Sequence, residues 1–148
     1  MSARRPKASK APAIAVPEEK ISATLARFVE PALRTLGGAP SEGALRELFT
    51  VAVAVWNAHA LAMPAWGDPS ALERVRAHLR GPDAPLHHAH VFTVLSDRRE
   101  ALFADDPRFV REWELTIAPG QPFALRCKAA IPTGKPRPAK AGETPPQP

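Results

Sequence analysis

Apolar residues recur at helical spacing once the chain passes its first prolines. Ile21, Leu25, Phe28, Leu33 and Leu36 follow a period near 3.6. Pro31 interrupts that run and sets a kink or break near Glu30, since proline lacks an N–H and crowds the preceding turn. Gly37-Gly38 supplies a stop, and Ser41 is suited to cap the next helix. That helix is expected from Glu42 to Ala62, ended by Met63-Pro64. Leu45, Phe49, Ala52, Trp56, His59 and Met63 form its stripe, and Leu48, Val51, Val55 and Ala62 its flank. So wide an apolar surface marks the central core helix.

Trp66-Gly67-Asp68-Pro69 reads as a turn into a third helix, with Asp68 as N-cap and Pro69 at the first helical position. Leu72, Val75 and Leu79 line one side of it, and Gly81-Pro82 closes it. A further helix is expected over His87 to Ala104, although Val91 to Leu95 has strand propensity. The pattern then changes to period two. Phe109, Arg111, Trp113, Leu115 and Ile117 alternate with Val110, Glu112, Glu114 and Thr116; after a Pro-Gly turn, Phe123, Leu125, Cys127, Ala129 and Ile131 alternate with Ala124, Arg126, Lys128 and Ala130. Two such runs make an antiparallel hairpin with one apolar face, Glu112 and Glu114 lying across from Arg126 and Lys128 on the wet face. The expected fold class is α+β: about four helices, then a C-terminal antiparallel β-hairpin that must rest on them.

Composition changes this picture at the ends. The 148 residues carry 20 Lys+Arg against 15 Asp+Glu, a net charge of +5, with 18 prolines. Residues 1–17 hold Arg4, Arg5, Lys7 and Lys10 and no acid, and residues 132–148 hold Lys135, Arg137 and Lys140 with one acid, Glu143. Residues 18–131 have 13 bases against 14 acids, so the basic excess belongs to the ends. Those ends lack the apolar side chains that offset backbone ordering, and they read as disordered basic, Pro-rich tails around a single domain over 18–131. They resemble the Lys/Pro/Ala tails of linker histones. The resemblance implies loose, salt-sensitive contact with phosphates, a sequence-independent nucleic-acid alternative.

A single cysteine excludes an internal disulfide framework and a Cys-based zinc site. Leu48 to Gly67 is free of Asp, Glu, Lys and Arg, yet Asn57, His59 and Pro64 argue for a buried helix and against a membrane span. With no secretory leader in view, a soluble, cytoplasmic protein is expected, and the weight of Gly, Ala, Arg and Pro suggests a GC-rich, bacterial coding sequence.

Chemistry-bearing residues are few. His87 and His90, with His88 between them, can share a helix face at i and i+3. That spacing matches no ligand motif, so no metal and no cofactor is expected. Asn57 and His59 lie in the most apolar helix, either as a ligand or catalytic pair under Trp56 or as internally satisfied core groups. Cys127 is expected to be buried and inert, and Asp105-Asp106-Pro107-Arg108 to be turn chemistry. Phosphate loops, nucleophile elbows and zinc-protease helices are all missing from the sequence. The expectation leans away from an enzyme. A protein-interaction domain fits better, with a protein partner or a second copy meeting Trp56, Asn57, His59 and Trp66 near the end of the central helix. A small metal protein or enzyme using the histidines is the further alternative.

Val55-Trp56-Asn57-Ala58 in a core helix, then Leu102-Phe103-Ala104-Asp105-Asp106 before a strand with Arg111 and Trp113, resembles a group of small uncharacterised bacterial proteins. In that group similar helices precede a final strand pair. The resemblance spans residues 45–130, implies helix for 87–104, and implies no substrate, cofactor or catalytic residue.

Overall fold

The computed structural model describes residues 17–37, 40–81, 86–118 and 122–132. Helices α1 (Ile21–Phe28), α2 (Glu30–Arg34), α3 (Glu42–Ala62), α4 (Ala71–Leu79) and α5 (Leu86–Leu102) precede strands β1 (Phe109–Thr116) and β2 (Ala124–Ala130). The fold is α+β, with five helices among the described residues. The basic ends and the Pro-Gly turn of the hairpin lie outside them.

The extra helix comes from Pro31. The run over 19–36 divides at Val29 into α1 and α2. Proline at 31 cannot donate to the carbonyl four residues back, that of Arg27. Arg98 Nη2 on α5 donates to that carbonyl at 2.8 Å, so the break is satisfied from a neighbouring helix.

Helix α3 runs over the expected residues, with Ser41 Oγ accepting from the Ala44 N–H at 3.0 Å. Its second half, from Val51 on, is buried nearly all round, and the helix packs on α4, α5 and β1. Phe28, Trp56 and Phe103 meet edge to face, their ring centres 5.2 to 5.8 Å apart. A second group, Phe49 with Trp113 and Phe123, joins α3 to the hairpin. Such aromatic contacts add about 0.5–1.5 kcal/mol each beyond their area.

Asp68 is not the N-cap of the third expected helix. Helix α4 begins at Ala71, after a turn closed by the Ala71 N–H on the Asp68 carbonyl at 3.1 Å. The Asp68 carboxylate instead binds Arg74 at 2.6 Å and Ser70 at 3.1 Å. Gly67 precedes this turn at φ +77°, a left-handed conformation that glycine adopts without steric cost.

The hairpin forms as expected, with Glu112 opposite Lys128 and Glu114 opposite Arg126. Strict alternation fails at one residue. The register shifts between Val110 and Glu112, leaving Arg111 as the extra residue of a bulge. Val110 is therefore buried and Arg111 exposed, the reverse of the period-two expectation. Ile131, expected on the apolar face, is 52% exposed just past β2.

Candidate functional site

Three groups of polar side chains are concentrated in the described residues. The first surrounds the segment Asp106–Val110, which leads from α5 into β1. Trp56 is fully buried and gives its indole N–H to the Arg108 carbonyl at 2.8 Å. Trp66, half-buried against Phe109, donates to the Pro107 carbonyl at 2.6 Å. Asn57 exchanges both amide functions with Val110: Oδ1 accepts from its N–H at 2.7 Å and Nδ2 donates to its carbonyl at 3.0 Å. Side chains that the sequence offers as partner anchors thus fasten the chain to itself, and Trp56 has no surface left for a partner.

The same segment contains a buried ion pair that sequence reasoning read as turn chemistry. Arg108 binds the Asp106 carboxylate through Nε at 2.9 Å and Nη2 at 2.6 Å. It also reaches the Glu19 carbonyl at 2.6 Å and the Thr24 hydroxyl at 3.0 Å, tying β1 to the start of α1. Arg99 is buried beside this pair, its guanidinium 3.9 Å from the centre of the Trp56 ring. It donates to the carbonyls of Phe103 and Asp106. Burial lowers its pKa to about 10, so it stays charged at neutral pH. The Asp106 carboxylate lies near two buried guanidiniums but bonds Arg108 alone; Arg99 rests on the Trp56 face and two carbonyls, and its Nε has no partner among the described residues.

The second group is His59 with Ser96. Nε2 of His59 lies 2.7 Å from Ser96 Oγ, the separation of a nucleophile and its base. Ser96 also borders a small cavity of about 280 Å³ lined by Arg76, Arg80, Phe92, Thr93 and Asp97. The electrostatics oppose acyl-transfer chemistry. Burial and the nearby Arg99 charge push the imidazole pKa down to about 4. A general base near neutrality needs its cationic form stabilised, usually by a carboxylate on the far nitrogen; here the neighbouring charge is positive. The pair is a satisfied core hydrogen bond.

The third group was half visible in the sequence. His87 and His88, in the first turn of α5, meet Glu47 of α3. His88 Nε2 lies 2.9 Å from one Glu47 oxygen and His87 Nε2 lies 3.6 Å from the other. His90 is exposed and stands outside this cluster, so the i, i+3 pairing is replaced by adjacent histidines. Only side chains at this cluster combine the atoms and spacing of a metal-binding group among the described residues.

Cys127 is half-buried and its thiol is pushed up to about 11 by desolvation. Arg4, Arg5, Lys7, Lys10, Lys135, Arg137 and Lys140 lie outside the described residues. No described helix is long and apolar enough to cross a membrane. No family model, curated protein or solved structure matches the chain.

Proposed function

We propose that this chain is a non-enzymatic protein-interaction module, acting in the cytoplasm, that accepts an extended segment of another protein along the outer edge of β2. One observation carries the reading: the two edges of the sheet are treated differently. The outer edge of β1 is occupied, by Asn57 on the Val110 peptide and by Arg46 Nη2 on the Leu115 carbonyl at 3.0 Å. Strand β2 pairs with β1 alone among the described residues. An unpaired strand edge is a template for strand addition. Beside it Leu125, Cys127 and Ala129 are only half-covered, and Ile131 is open to solvent.

Charge selects the partner. An antiparallel second copy centred on Cys127 sets Arg126 against the other copy's Lys128, and directly opposed like charges destabilise a sheet. A strand alternating acidic and apolar residues meets Arg126 and Lys128 with opposite charge and covers the apolar side chains. Fluorescence anisotropy of the full chain with labelled Val/Glu and Val/Lys alternating peptides tests this. The acidic peptide is expected to bind the tighter of the two, and R126E/K128E to reverse the preference. Equal binding of both peptides, or a preference untouched by the double substitution, would overturn the reading.

A further inference from the structure

We infer that Glu47, His87 and His88 form a binding site for a divalent transition-metal ion of the zinc type. The donors are two imidazoles and a carboxylate, a set that suits zinc and its late first-row neighbours and not the oxygen-seeking magnesium or calcium. A tetrahedral zinc ion with bonds near 2.0–2.1 Å holds its ligand atoms about 3.3 Å apart. His88 and His87 stand 2.9 and 3.6 Å from different Glu47 oxygens, and one donor atom from each of the three residues lies within 4.8 Å of the others, so small side-chain rotations bring them to that spacing. Each Glu47 oxygen faces a different histidine, so an ion held by both imidazoles and one oxygen forms when the exposed His87 or Glu47 side chain turns.

The ligands come from separate elements that the fold has already brought together. Glu47 projects from α3, whose neighbouring Leu45, Leu48 and Phe49 are fixed in the core. His87 and His88 project from the first turn of α5, which packs against α3 and puts Phe92 and Leu95 into the core. Without a metal, His88 hydrogen-bonds Glu47 while His87 stands edge-on to His88 and 3.6 Å from the other Glu47 oxygen. Metal binding uses all three groups. On binding, any hydrogen-bonding Nε2 proton gives way to the Nδ1–H tautomer, which leaves the Nε2 lone pair for the ion. Three protein ligands leave a fourth position for water or for a donor from a bound partner. His87 is 61% exposed and Glu47 44%, so that position is reachable, while His88 at 14% anchors the site.

Titration calorimetry of the untagged full-length chain with Zn²⁺ tests the inference. One ion per chain is expected, with His88→Ala and His87→Ala each weakening binding by at least about tenfold. His90→Ala, outside the cluster, leaves it unchanged. Circular dichroism checks that each variant is folded, and the exposed His87 carries the test should His88→Ala unfold. Loading with Co²⁺ gives a second readout, visible absorption bands that Glu47→Gln shifts or abolishes. Absence of saturable heat at submillimolar Zn²⁺, or an affinity that both His87→Ala and His88→Ala leave unaltered, overturns the site. Neither result bears on peptide binding at β2, which lies on other residues.

Discussion

The Asn57 side chain occupies the edge of β1 at Val110 as a paired peptide would, accepting from its N–H at 2.7 Å and donating to its carbonyl at 3.0 Å. The contact falls next to the bulge at Arg111. A helix residue thereby fixes where the hairpin begins. Asn57→Ala removes both bonds and leaves two peptide groups of a partly buried strand without partners. A loss of about 1–3 kcal/mol in unfolding free energy is expected, read as a lower urea midpoint at unchanged slope. Asn57→Asp keeps an acceptor for the N–H but sets a carboxylate against the Val110 carbonyl, so it fails to restore the midpoint.

Arg108 and Asp106 give a sharper test because both are buried. Asp106→Ala leaves Arg108 and Arg99 as neighbouring buried cations with no carboxylate between them. Removing one member of such a pair costs about 3–5 kcal/mol. The double substitution D106L/R108M takes away one of the two stranded cations, leaving Arg99, and is expected to recover part of that loss. Thermal or urea unfolding of the two variants side by side measures the difference. A double variant no more stable than Asp106→Ala would show that the Arg108 bonds to Glu19 and Thr24, rather than its charge, hold β1 to α1.

The elements were legible where the pattern is local. The wide stripe of α3, the cap at Ser41 and the alternation of the hairpin each arise from neighbours in sequence, and each stands where those neighbours place it. Arg111 was misplaced because alternation assumes an uninterrupted ladder, and nothing near Arg111 announces that Asn57 will hold Val110 from another element. Asp106-Pro107-Arg108 has the composition of a surface turn. Its burial depends on Trp56, Thr24 and Glu19, all more than 45 residues away in the chain. The histidine cluster was visible as a clump, but its third member was not. Glu47 is an ordinary helix glutamate until the packing of α3 on α5 carries it to His88.

His59 predicts a pH dependence with a definite sign. Its imidazole titrates near 4 in the folded chain, held down by burial and by Arg99, against about 6.5 when exposed. Folding therefore excludes a proton. The contribution of neutral His59 is complete above pH 6.5 and is lost as pH falls from 6.5 toward 4. At 1.36 kcal/mol per pH unit the full loss is about 3 kcal/mol. Unfolding free energy is expected to be flat between about pH 7 and 8 and to decline across that window. His59→Gln retains hydrogen-bonding capacity toward Ser96 without a titrating group, so its profile should be flatter there. A native profile with no slope between pH 6.5 and 4.5 would contradict the shift. Glu19 and Asp68 are held below the usual carboxylate range by hydrogen bonds from Arg27 and Arg74 respectively. Their contributions fade only at more acid pH, and the two windows separate.

Cys127 reports on β2, whose outer edge pairs with no strand among the described residues. Desolvation pushes its thiol up to about 11, so little thiolate is present at pH 8. An exposed cysteine with a pKa of about 8.5 is roughly one quarter thiolate at that pH, whereas Cys127 is about one part in a thousand. Alkylation by iodoacetamide at pH 8 is therefore expected to be slower than for the unfolded chain by on the order of a hundredfold, and to accelerate as pH rises toward 11. The side chain is half-covered, so the reagent reaches it without unfolding and the thiolate fraction sets the rate. A strand added to β2 covers that remaining surface. The acidic alternating peptide should then slow alkylation further in the native chain, and should fail to do so in R126E/K128E. Equal protection in both chains would place the peptide elsewhere than on β2.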